Sequence, residues 1–63
     1  MTASELLDIN ELAARWNVTT AVVYSMRYRR NAPAAFRVGR RLMFRRIDVE
    51  QWEAAQALDD QRR

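Results

Sequence analysis

The apolar residues of this chain change period twice, and the changes divide it into elements. In "LLDINELAARW", Ile9, Leu12, Ala13 and Trp16 recur at i, i+3, i+4 and i+7, one stripe of an α-helix. Asp8 stands before the stripe as an N-cap and Glu11 follows three residues later to close a capping box, while Leu7 and Leu12 supply a hydrophobic staple. Asn17 tolerates left-handed backbone and predicts a sharp turn. Thr19 then caps a second helix through "TAVVYSMRYRR" to about Arg30, stopped by Asn31 and by Pro33, which disfavours helical geometry at Ala32. Projected around its axis, this helix carries Val22, Val23 and Met26 on a core side. Ala21, Tyr24, Ser25 and Tyr28 fall on the other, a face of small residues and aromatics suited to lying against a ligand.

Beyond Pro33 the helical period gives way to alternation. Phe36 and Val38 flank Arg37, and Leu42 and Phe44 flank Met43, which predicts two short strands about Gly39, the only glycine. Placing all four apolar residues in the core requires a three-residue loop, Gly39 to Arg41, pairing Val38 with Leu42 and Phe36 with Phe44. A two-residue loop would pair Val38 with Arg41 and turn Leu42 outward. The longer loop leaves Arg40 and Arg41 at the tip and Arg37 and Arg45 on the outer face. A third helix is expected from near Ile47, with Asp48 and Glu50 in the first turn, where the helix dipole favours acid, and Val49 and Trp52 toward the core. Residues 57–63 read as a frayed tail, although Leu58 can extend the apolar stripe by a turn. The whole of 1–63 is one domain, with no internal repeat, low-complexity segment or linker.

Composition narrows the possibilities. The 63 residues include neither Cys nor His, which removes disulfides and the common zinc ligands together, so the core rests on packing and no metal or cofactor is expected. The N-terminus lacks a charged segment followed by an apolar run, and no window approaches the roughly 20 apolar residues that span a bilayer. The expectation is a soluble cytoplasmic protein without a membrane partner. Charge is segregated: Met1 to Ala14 holds three acids and no base, Arg15 to Arg46 nine arginines and no acid, and Ile47 to Arg63 five acids and two arginines. A basic middle between acidic flanks points to one face built for a polyanion. Every basic residue is arginine, which suits planar recognition of phosphates and base edges and equally follows from a GC-rich genome.

The order helix, tight turn, helix, basic hairpin, helix carries a family resemblance. "INELAARWNVTTAVVYSM" looks like a helix-turn-helix, with Ala13 at the small packing position, Asn17 where a turn glycine is usual, and Val23 and Met26 at the apolar positions of the recognition helix. "RVGRRLMFRRIDVEQW" resembles the wing and following helix of the MerR-like winged helix, in the compact form used by phage excisionases, although Arg45 stands where related sequences often place a Ser N-cap. The resemblance covers about Leu6 to Ala55. It implies a mostly α fold with a small β-hairpin, a winged helix-turn-helix.

For function, the resemblance implies that the second helix enters the major groove of double-stranded DNA. Thr19, Thr20, Ala21, Tyr24, Ser25, Arg27 and Tyr28 would lie near base edges or phosphates. The wing arginines Arg40 and Arg41 would reach an adjacent minor groove or its phosphates, with Arg37 and Arg45 holding phosphates. It further implies an architectural recombination directionality factor: a protein that binds and bends attachment-site DNA, steers a tyrosine integrase toward prophage excision, allows cooperative head-to-tail contacts between DNA-bound copies, and is nucleoid-associated in a bacterial host. A small winged-helix transcription regulator is the alternative. An enzyme is not expected, because no nucleophile with a base, no carboxylate pair on a rigid element and no phosphate loop is present. Binding of unpaired RNA by arginine and aromatics fits less well, because Phe36 and Phe44 are wanted inside.

Overall fold

The computed structural model describes residues 5–62. Chain order is β1 (Leu6–Asp8), α1 (Ile9–Trp16), α2 (Thr20–Tyr28), β2 (Ala35–Val38), β3 (Arg41–Arg45) and α3 (Arg46–Gln61). The local signals at the start of α1 are realised atom by atom. Asp8 Oδ1 accepts the Glu11 N–H at 2.8 Å and Glu11 Oε1 accepts the Asp8 N–H at 2.8 Å, the reciprocal bonds of a capping box. Asn17 closes α1 at φ 57°, and its N–H donates to the Ala14 carbonyl at 3.1 Å while that of Val18 donates to Ala13 at 2.9 Å. These two bonds form a Schellman motif, which satisfies the last carbonyls of α1 and swings the chain into α2 within three residues.

Around the first two helices lies one core of Leu12, Ala13, Val23, Leu42, Phe44 and Val49, with Leu7, Ile9, Trp16 and Ala35 packed against it. Phe44, Leu12, Val23 and Val49 are wholly buried. Each such side chain contributes about 1.5–3 kcal/mol by leaving water, so these few supply much of the stability of a chain this short. Val22 was expected in the core but is 42 % exposed, since α2 meets the body along the narrower line of Val23 and Met26.

The sheet corrects the expected hairpin in two respects. It has three strands in the order β1-β3-β2, because Leu6–Asp8 pairs antiparallel with Arg45–Met43, and the ladder continues in a 2.8 Å bond from the Arg46 N–H to the Glu5 carbonyl. The loop has two residues rather than three: Val38 faces Arg41, Arg37 faces Leu42, Phe36 faces Met43 and Ala35 faces Phe44. Gly39 has φ +62° and Arg40 lies outside the positive region, the sign pattern of a type II′ turn, whose twist matches that of the strands.

Directly opposed residues share a face, so this register puts Ala35, Leu42, Phe44 and Leu7 on the core side. Phe36 and Val38, both expected inside, lie instead on the other side with Met43, Arg45 and Leu6. Phe36 stays half-buried there because Met43 lies opposite it and the Arg45 guanidinium sits 5.4 Å from its ring centroid. Val38, lacking such cover, is 53 % exposed. Arg37 and Arg45 therefore sit on opposite faces of the sheet rather than together on an outer one.

Helix α3 starts one residue before Ile47 and is held to α1 by its own side chains. Trp16 and Trp52 meet with ring centroids 5.1 Å apart. Glu53 accepts Arg15 Nε at 2.7 Å, Arg15 through its second nitrogen at 2.8 Å, and Trp16 Nε1 at 2.7 Å. The helix runs through Gln61, and the side chains of residues 54–62 are exposed.

Candidate nucleic-acid interface

The turn at Asn17 presents α2 across the face of α1, and Ala13, 4 % exposed, gives the small contact that close crossing needs. Thr19 caps α2 by accepting the Val22 N–H at 3.3 Å. With Val23 pinned in the core, helical spacing turns Ala21, Tyr24, Ser25 and Tyr28 to solvent, and Thr20 is half-buried at the first turn. Tyr24 is 50 % exposed and Tyr28 91 % exposed, so neither ring serves the core.

The wing and α2 meet on one surface. A shallow depression of about 160 Å³ is lined by Tyr24 of α2, by Arg40, Arg41 and Leu42 of the hairpin, and by Asp8, Ile9 and Asn10 at the start of α1. Tyr24, Arg40 and Arg41 are thus brought together. Arg27 lines a second depression, of about 230 Å³, with Arg30, Ala32, Pro33 and Ala35. Arg37 projects from the same sheet face as Leu42 near the hairpin end, whereas Arg45 lies on the far face over Phe36.

Ion pairing divides the arginines into two groups. Arg15 is neutralised by Glu53 and Arg46 by Glu50 at 3.2 Å, both through α3. Among the described residues, Arg27, Arg29, Arg30, Arg37, Arg40 and Arg45 pair with no carboxylate. Arg41 is intermediate: one guanidinium nitrogen donates to Asp8 Oδ2 at 2.6 Å, and its side chain remains 69 % exposed. Its remaining N–H groups are available to a phosphate. Asp8 is held below the usual carboxylate range chiefly by the Glu11 amide, against the cost of burial, with Arg41 adding to the effect. Glu53 is lowered by Arg15 first and by the Trp16 N–H, again against burial.

The acidic flanks thus quench the arginines of the α1–α3 side and leave positive charge on the C-terminal end of α2 and the wing tip. Capping marked Asp8 in the sequence, but nothing local signalled that its second oxygen holds Arg41. The left-handed backbone of Arg30, at φ +60°, was likewise hidden, since the sequence carries the helix to about Arg30, whereas α2 ends at Tyr28.

A recognition helix set by a tight turn, a hairpin beside it and a third helix closing the core define a winged helix-turn-helix. The profile of the helix-turn-helix domain family matches residues 6–57, and the chain belongs to that family of DNA-binding domains. No curated protein and no solved structure gives a significant match. Among the described residues no group of acids, His or Cys is arranged to hold a metal ion, and no helix is long and apolar enough to cross a membrane.

Proposed function

We propose that this protein is an architectural DNA-binding factor of the excisionase kind, which binds and bends attachment-site DNA and directs a tyrosine integrase toward prophage excision. The observation that carries the DNA-facing part is the shared depression in which Tyr24 meets Arg40 and Arg41, since one duplex can then engage helix and wing together. In this reading α2 lies in the major groove, with Thr19, Thr20, Ala21, Tyr24, Ser25 and Tyr28 near base edges and sugar-phosphate. Arg40 and Arg41 enter the adjacent minor groove or hold its phosphates, and Arg27 and Arg37 contact backbone, whereas Arg45, on the far face of the sheet over Phe36, is left out of this interface. Few of the exposed α2 side chains make bidentate base contacts, so modest sequence preference follows, strengthened by head-to-tail contacts between neighbouring copies. Neutralising ~4 to 6 phosphates gives a log-log salt slope of roughly −4 to −5.

The excision role rests on the resemblance of "RVGRRLMFRRIDVEQW" to the wing and third helix of excisionases. A DNase footprint over the DNA flanking the protein's own gene, at two salt concentrations, tests it. Cooperative protection of direct repeats beside an integrase attachment site is the expected result, with position-dependent mobility in circular-permutation gels. Protection limited to an inverted repeat at a promoter, or a straight complex, would make the protein a small transcription regulator instead.

A further inference from the structure

Helix α2 ends on an arginine held in a conformation that arginine seldom adopts. The Arg30 N–H donates to the Arg27 carbonyl at 2.9 Å and the Asn31 N–H to the Met26 carbonyl at 2.8 Å, with Arg30 at φ +60°. This is a second Schellman motif, and its left-handed position is the one that glycine fills most readily. At the end of α1 the same position holds Asn17, whose short polar side chain tolerates the region. A long arginine does not, and its Cβ strains the backbone where glycine would not. A strained residue that a simple substitution would relax is accounted for by what its side chain does.

The surroundings of Arg30 indicate what that is. Arg30 lines a depression together with Arg27, and the other lining residues, Ala32, Pro33 and Ala35, contribute no side-chain acceptor. Arg27 is half-buried, Arg30 is exposed, and neither pairs with a carboxylate among the described residues. Two arginines without a carboxylate partner line one small basin, and an anion seated there would supply acceptors to both. The basin holds about 230 Å³, several times the roughly 30 Å³ of a water molecule, which is room for a single phosphate group.

We propose that Arg27 and Arg30 form a clamp for one backbone phosphate of duplex DNA, with the left-handed turn at Arg30 as the device that aims the second guanidinium. The inference rests on the DNA-binding reading and adds a fixed contact at the end of α2, one helical turn beyond Tyr24. The duplex is then held on both sides of the recognition face, by the wing and by this basin.

Thermal unfolding and fluorescence anisotropy with a labelled duplex of random sequence, titrated across salt, test the clamp in Arg30→Gly, Arg27→Gln and the double variant. Arg30→Gly is expected to unfold at an equal or higher temperature than wild type while binding about tenfold more weakly, with a salt slope shallower by about 0.9, the signature of one lost phosphate. Because both arginines serve one phosphate, the double variant should bind only slightly more weakly than either single one. An Arg30→Gly protein with unchanged affinity and slope, one with a lowered unfolding temperature, or fully additive losses in the double variant would each overturn the clamp. Wild-type protein that shows no salt-dependent duplex binding would instead remove the DNA-binding reading beneath it.

Discussion

Asp8 holds Arg41 with one carboxylate oxygen and caps α1 with the other. Oδ2 accepts the guanidinium at 2.6 Å while Oδ1 accepts the Glu11 amide at 2.8 Å, so the wing is tied to the first turn of the helix-turn-helix through one side chain. The Asp8 side chain is 16 % exposed, which restricts its rotation and gives Arg41 a defined anchor.

Asp8→Asn separates the two duties, because Asn caps a helix about as well as Asp but carries no charge. The pair is largely solvent-exposed on the arginine side, so its loss should cost no more than about 1 kcal/mol, whereas Asp8→Ala removes the cap as well and should cost about 1–2 kcal/mol. Urea unfolding of the three proteins at neutral pH checks the order. Hydrogen exchange of the hairpin amides should quicken in Asp8→Asn while that of α1 stays protected.

Acid should weaken the fold through Asp8 and Glu53 together. Both carboxyls are lowered in the folded protein, so their stabilisation is complete above the unfolded values of about 4 and is lost as pH falls through the folded ones. Unfolding free energy should therefore hold level near neutrality and decline from about pH 5 downward, with a flatter decline in the Asp8→Asn, Glu53→Gln double variant. A wild-type profile that stays level to about pH 3 would contradict this assignment.

Glu53 also joins α3 to α1 by accepting from both Arg15 and Trp16. Glu53→Ala strands the indole N–H and the guanidinium and should cost about 1–2 kcal/mol, whereas Glu53→Gln retains an acceptor and should cost less. Tryptophan emission is a direct reporter, because the Trp16–Trp52 contact lies against this carboxylate.

Gly39 tests the two-residue loop. A Cβ there would meet nothing within 4 Å, so any penalty for Gly39→Ala comes from φ +62° alone. About 1 kcal/mol is expected, a fall in Tm of several degrees for so small a domain, and Gly39→Asn should recover part of it. A neutral Gly39→Ala would mean that the turn has another geometry.

On DNA the wing and helix should separate by their salt and sequence behaviour. Arg40→Ala should weaken binding to every duplex and shallow the salt slope by about 0.9, whereas Tyr24→Phe or Ser25→Ala should change the preferred sequence with little effect on slope. Tyr28→Ala should leave stability within about 0.5 kcal/mol, since the ring is 91 % exposed, while lowering duplex affinity.

What the sequence by itself determined is what acts over one helical turn. The Asp8–Glu11 box, the Thr19 cap, the left-handed Asn17 and the stripe through Ile9, Leu12, Ala13 and Trp16 involve partners three or four residues apart, so the residue types and their spacing carry the geometry. With them came the order of helices and hairpin and the exposed tyrosine face of α2. Tertiary structure decided the rest. Strand register depends on what covers each face, and Phe36 finds cover away from the core under Arg45 and beside Met43, which reverses the side of every β2 residue. Leu6–Asp8 becomes a strand only because β3 offers its edge. Arg41 meets Asp8 across 33 residues, and Arg15 meets Glu53 across 38. Such pairings follow from where the core brings segments together, and no local spacing encodes them.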